Sequence, residues 1–347
     1  MEDTGVSILK TIWSLRSDGR WGVQGIKGLN LRPRAGAQHD YFAMESELEI
    51  LTNNPSGLSI DELMRTFGST DFLVKQSVVP IVALIHDESI LKTIGTGFFV
   101  SCSGYLLTAC HVVLDPEESG YGRVKREGNS LTITGAVQMG VLVRINPATG
   151  YSGVAFLPFQ GSWYWGDWKG SPLIHESDRF AMLTDIAVCK VNTWPSGEGH
   201  QPLNLSLRPF GKNERSVVVG YAEMPDTPIN TSEETISLSM PQDELFVSVG
   251  NVMNVFPDNH LSKKVPTPGP CFDFNAKVPG KMSGAPIFGA DGAVVRGVVS
   301  RSYSGERHAY GAMIGPAMHL PLGGDNTLNS LMVNGNEGIP HVQGPDL

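Results

Sequence analysis

From Ser77 onward the apolar positions fall into short β-branched and aromatic runs separated by Gly, Pro, Asn and Asp, the pattern of strands rather than helices. The runs include Gly97–Val100, Leu131–Thr134, Val141–Arg144, Ser216–Val219, Leu245–Phe256 and Val294–Ser300. No strand–helix–strand rhythm interrupts them, so the pattern predicts an antiparallel barrel or sandwich, with chain enough for two small barrels. The first 75 residues differ. Asp40 is placed to cap a helix in which Met44, Leu48 and Leu51 recur on one face, with Pro55 just beyond its end. Ser59-Ile60-Asp61-Glu62 reads as a capping box, and Gly68 offers that second helix a left-handed stop. Residues 1–38 keep no sustained period and read as an irregular arm, and the Gly- and Asn-rich stretch after Leu320 reads as a loosely packed tail.

Composition removes several function classes. The 347 residues carry 26 Lys or Arg against 35 Asp or Glu, a formal net charge of −9, and no long basic run. Nucleic acids and anionic membrane surfaces both need clustered cations, so neither is expected as a partner. The longest apolar run, Val78 to Ile85, is interrupted by Pro80 and falls far short of the ~20 residues that span a bilayer. Met1-Glu2-Asp3-Thr4 begins acidic, without the basic and apolar regions of a secretory signal, so a cytoplasmic location is expected. Cys102, Cys110, Cys189 and Cys271 form no CxxC pair, and the nine histidines are dispersed, so reduced thiols and no metal are expected. Trp163, Trp165 and Trp168 make one aromatic cluster, read as core or barrel-rim packing.

Three segments carry candidate chemistry. In Gly104 to Val113 an apolar strand delivers His111 at its end, beside the small residues Ala109 and Cys110. In Leu183 to Lys190 a single carboxylate, Asp185, opens an apolar strand, where burial is costly unless it is paired. In Val278 to Phe288 glycines and prolines flank Ser283, which suits a tight loop exposing a hydroxyl and aiming backbone N–H groups at one point. Alone, each has an ordinary reading: a satisfied core-edge histidine, a turn-capping aspartate, a Gly-rich hairpin. In chain order they give His, Asp and Ser, one of the orders in which a hydroxyl nucleophile, its base and the base's orienter occur.

The combination resembles the chymotrypsin-like serine proteases, in particular the bacterial HtrA-type branch. Thr108-Ala109-Cys110-His111-Val112, Asp185-Ile186-Ala187-Val188 and Ser283-Gly284-Ala285-Pro286 match that branch's three blocks, and Gly95 to Val100 looks like the strand ahead of its histidine. The likeness runs from Ser77 to about Leu320 and leaves the first 75 residues unexplained. It implies a mainly β fold of two antiparallel six-stranded barrels with a short helical N-terminal extension. The divisions it suggests are an extension over 1–75, a first barrel over 76–200 with His111 and Asp185, a second over 201–320 with Ser283, and a tail over 321–347. With 27 residues after Leu320, the peptide-binding PDZ module that many HtrA-type enzymes carry after the protease is not expected.

By resemblance the activity is that of a serine endopeptidase acting on polypeptides without a cofactor. Ser283 is the nucleophile, His111 its base and Asp185 the orienter, while the backbone N–H groups of Lys281 and Ser283 hold the oxyanion. Lys277, Val278, Pro279 and Gly280, with Val299, Ser300, Arg301 and Ser302, should wall the primary pocket. None is a carboxylate, which disfavours cleavage after basic residues. The family usually has Gly where Lys281 stands; if the loop needs a positive φ there, Lys281 is strained and the enzyme rests latent until triggered. The rival readings are a catalytically inactive, protease-shaped binding or scaffold protein and an esterase on the same triad. The extension is expected to brace the first barrel, with docking of a regulatory protein as its other role.

Overall fold

A computed structural model describes residues 6–15, 21–25, 28–33, 40–43, 70–145, 153–166, 182–193, 199–222, 224–229, 245–257, 265–289, 292–303 and 306–333. The first barrel is built from β1 (Val78–Ile85), β2 (Ile90–Phe99), β3 (Tyr105–Ala109), β4 (Val137–Ile145), β5 (Gly153–Gly166) and β6 (Met182–Val191). Pairing runs β4-β1-β2-β3-β6-β5 and closes where β5 returns to β4, for example at Val141↔Leu157. The second uses β7 (Arg215–Tyr221), β8 (Leu245–Phe256), β9 (Cys271–Phe274), β10 (Pro286–Gly289), β11 (Val294–Ser302) and β12 (Ala309–Met313). Its order is β8-β7-β10-β11-β12-β9, closed by β9 on β8. Two closed six-stranded antiparallel barrels leave neither sheet with a free edge inside the barrel.

The side-chain pattern explains these strands. Along β1, Val79, Ile81, Ala83 and Ile85 enter the first barrel's core, while Val82 and Leu84 pack outside it against Leu91 and Leu142. Both faces are covered, so β1 reads as one continuous apolar run. On β6, Ala187, Cys189 and Val191 point into that barrel and Ile186 and Val188 point out, into a shared cluster with Val217, Val219, Leu245 and Val295 of the second. The strand that carries Asp185 is thereby gripped from both sides.

The N-terminal region departs from expectation. Residues 1–38, read as irregular, contain the strands Val6–Ile8, Thr11–Leu15, Trp21–Gly25 and Leu29–Pro33. Asp40, expected at a helix start, lies in the strand Asp40–Ala43, which pairs with β8 and sets Phe42 opposite Phe246. The Met44–Leu51 and Ser59–Gly68 helices fall outside the described residues. Leu29 and Leu31 are fully buried in the inter-barrel cluster, at about 2 kcal/mol each. Val6–Ile8, Leu29–Pro33 and Asp40–Ala43 extend the second barrel's sheet, while Thr11–Leu15 and Trp21–Gly25 pair as a separate two-stranded sheet. Past Leu320 the chain is also packed: Leu322 and Leu328 are buried, the latter on the helix Leu328–Val333. Among the described residues no helix is long and apolar enough to cross a membrane.

Candidate active site

β3 ends at Ala109 and the chain turns directly into the helix α1 (Cys110–Glu118), which places His111 in its first turn. No side chain of Ala109 caps that helix. Asp185 does so from β6, which pairs with β3 at Ile186↔Ala109. Its Oδ1 accepts the His111 backbone N–H at 3.2 Å, filling one of the amides a helix start leaves unpaired. Its Oδ2 lies 2.9 Å from His111 Nδ1 and accepts the Ser300 hydroxyl at 2.6 Å. Ser300 Oγ in turn accepts from Thr267 Oγ1 at 3.2 Å. A buried carboxylate is thus met by three donors, as burial requires. With Nδ1–H directed at a carboxylate, the lone pair of the neutral imidazole sits on Nε2.

Burial alone would push the His111 imidazole down, but the charge and hydrogen bond of Asp185 outweigh it, and the net shift is upward from the ordinary histidine value. Burial also raises the neighbouring Cys110 thiol well above its usual range, helped by Asp185. Cys110 is an inert packing residue.

The loop bearing Ser283 joins β9 to β10 and is laid against β2 by Thr96. The Thr96 N–H donates to the Ser283 carbonyl at 2.9 Å, and its hydroxyl donates to the Lys281 carbonyl at 3.1 Å. Gly284 has φ +88°, and a Cβ there would overlap the Thr96 carbonyl and the Thr108 hydroxyl. Glycine after the serine is therefore what lets this loop touch the strands leading to His111. Lys281 has φ +71°, a left-handed conformation that costs a residue with a Cβ about 1 to 2 kcal/mol. The strain anticipated from the sequence is present, and the Lys281 Nζ donates to the Met224 carbonyl at 2.6 Å. Among the described residues the amides of Lys281 and Ser283 donate to no protein group, and no hydrogen bond joins Ser283 Oγ to His111.

The residues expected around the primary pocket separate into two sets. Val278 and Val299 are buried in the second barrel's core, and the Ser300 hydroxyl is engaged by Asp185 and Thr267. Lys277, Pro279, Gly280, Arg301 and Ser302 remain at least partly accessible, with the Arg301 guanidinium 5.7 Å from the Tyr303 ring centre. Sequence reasoning missed Thr96, Thr267 and the contact of Ser300 with Asp185. Thr96, a lone hydroxyl between Gly95 and Gly97, was the one that carried a local signal. Trp163 and Trp165 pack against the inter-barrel cluster, and Trp168 lies outside the described residues.

A model of the trypsin-like peptidase domain matches residues 95–295, over half of the chain. No curated protein matches. Among solved structures, the chain is similar to Deg5 (15% identity, 75% of this chain and 93% of that one, TM-score 0.40). It is also similar to neuropsin from mouse brain (12%, 70% and 91%, TM-score 0.41) and to the active form of the Rv3671c protease from M. tuberculosis (17%, 90% and 97%, TM-score 0.38). The matched span runs from the strand that receives the Ser283 loop, through His111 and Asp185, to the strand after Ser283, and on that footing the chain belongs to the trypsin-like peptidases, a family of serine proteases.

Proposed function

We propose that the chain is a serine endopeptidase whose triad is His111, Asp185 and Ser283. The observation that carries the reading is the buried Asp185 carboxylate, which takes both the backbone N–H and the ring Nδ1 of His111 and so supports a fixed imidazole tautomer. In the reaction Ser283 Oγ attacks the peptide carbonyl as His111 Nε2 accepts its proton. The oxyanion forms against the Lys281 and Ser283 amides, which have no other partner among the described residues. Collapse breaks the C–N bond, the proton passes from His111 to the leaving amine, and an acyl-Ser283 ester remains. Water, deprotonated by His111, then attacks that ester; the bond from the acyl carbon to Ser283 Oγ breaks, the carboxylic product leaves, and His111 passes the proton to Ser283 Oγ. No cofactor takes part in these steps. The substrate is a polypeptide, and the unengaged amides favour a loop competent at rest over a latent one.

Labelling by a fluorophosphonate probe tests this: wild type reacts and Ser283→Ala does not. Absence of labelling in both supports the inactive scaffold instead. Parallel peptide and ester libraries separate the peptidase from an esterase, since turnover of esters alone overturns the peptidase. We also assign the chain to the cytoplasm, supported by four cysteines that are not paired with one another in disulfides, and alkylation trapping in intact cells checks it: cysteines found oxidised there overturn the assignment.

A further inference from the structure

Lysine at a left-handed position is unfavourable, yet Lys281 is tied down at both ends. Its carbonyl accepts the Thr96 hydroxyl at 3.1 Å. Its ammonium donates to the Met224 carbonyl at 2.6 Å and stands 3.7 Å from Asp226 Oδ1. Met224 and Asp226 belong to a strap that leaves β7 at Tyr221 and crosses to the other barrel. There Thr227 and Pro228 pair with Leu91 and Ile90 of β2, and the Ile229 N–H donates to the Ser89 carbonyl at 2.8 Å. The Ile229 side chain is buried among Val82, Leu84, Leu91 and Leu142 of the first barrel. At its other end the strap is pinned near Thr96, whose hydroxyl accepts the Tyr221 N–H at 3.1 Å. The same Thr96 holds the Ser283 carbonyl.

We propose that Lys281 is a positioning residue: its ammonium, anchored on the strap, holds the left-handed backbone that aims the Lys281 N–H at the oxyanion. This rests on the function proposed above. The lysine is then a substitute for glycine rather than a defect. Glycine reaches a positive φ without help, whereas lysine reaches it here because a tether of fixed length opposes relaxation of its φ. The tether also makes the oxyanion loop of the second barrel depend on how well the strap is seated on the first. Ile229, remote from the reacting atoms, becomes part of the same device.

The test compares Lys281→Ala, Lys281→Gly and Ile229→Ser in the full chain, with folding checked by circular dichroism. Rates are read on a cleaved peptide and as the fluorophosphonate labelling rate. Lys281→Ala keeps the Cβ and loses the tether, so kcat falls about tenfold or more with KM nearly unchanged, because only a transition-state contact is misaimed. Lys281→Gly runs at least about fivefold faster than Lys281→Ala, since glycine needs no tether. Ile229→Ser lowers kcat in the parent chain, and that loss shrinks to within about twofold in the Lys281→Gly background, where seating of the strap no longer sets the loop. Equal rates for Lys281→Ala and Lys281→Gly, or losses confined to KM, overturn the proposal, and that pair decides it even if Ile229→Ser does not fold. Wild-type chain that neither labels nor cleaves takes down the peptidase reading and this one together. Labelling of wild type with no difference between the two Lys281 variants overturns this one alone.

Discussion

Ser300 Oγ donates to Asp185 Oδ2 across 2.6 Å, joining the second barrel's β11 to the carboxylate that orients a histidine of the first. The bond is buried, and it occupies the same oxygen that faces His111 Nδ1. Ser300→Ala leaves that oxygen one donor short. Stability should fall by about 1 to 3 kcal/mol, read by urea denaturation, because the carboxylate has no water to turn to. An unchanged midpoint would mean the contact is incidental.

Asp185→Asn should lower kcat/KM by about a thousandfold or more on any peptide the wild type cleaves, because an amide cannot hold the same imidazole tautomer and stabilise its cation. Steady-state kinetics checks this, with helix α1 monitored by circular dichroism, since the carboxylate also accepts the second amide of that helix.

His111 is held above the ordinary histidine range by Asp185 despite its burial. The base must be neutral to accept a proton, so the acid limb of kcat/KM should have its midpoint above about pH 6.5, and Asp185→Asn should move it down. Stability runs the other way. A pKa raised on folding favours the folded chain fully below about pH 6.5, and that contribution fades as pH rises through the raised value. Thermal unfolding of wild type against His111→Ala across this window reads it out.

Three of the four thiols should resist modification. Burial lifts Cys189 and Cys271 to about 12 and Cys110 well above its usual range, whereas Cys102 is half-buried. Brief iodoacetamide treatment of the native chain, followed by peptide mass mapping, should find alkylation at Cys102 first, with the others reacting only after unfolding.

Gly284→Ala should fail to give an active chain. Its φ is +88°, and the added methyl would overlap the Thr96 carbonyl and Thr108 hydroxyl. A soluble variant that labels at the wild-type rate would show that the loop can relax without losing its aim.

The barrels were legible in the sequence wherever a strand's burial follows its own residues, as in β1, whose unbroken apolar run reflects a core on each face. His111, Asp185 and Ser283 stood out for a similar reason: each is a polar residue in an apolar or Gly-rich setting that needs explaining. The strands of residues 6–43 were not legible, because what makes Asp40–Ala43 extended is its pairing with β8, some two hundred residues away. Thr267 and Ser300 reach Asp185 only after both barrels have closed, so nothing near them in the chain announces the contact. Lys281 was legible as a departure from glycine, but its partner, Met224, is fixed by a strap whose course no local pattern dictates.

Thr96 gives the cleft a mechanical character. It is covalently part of the first barrel, yet its amide and hydroxyl grip the two carbonyls that flank Met282 in the second, while its own carbonyl accepts the Thr108 hydroxyl beside the histidine strand. The Ser283 loop is therefore hydrogen-bonded to the barrel it does not belong to. Shear between the halves would strain this residue's contacts together with the Ser300–Asp185 bond, so relative motion of the barrels bears directly on the site. Alignment of the cleft and cohesion of the two barrels thus share the same few hydrogen bonds.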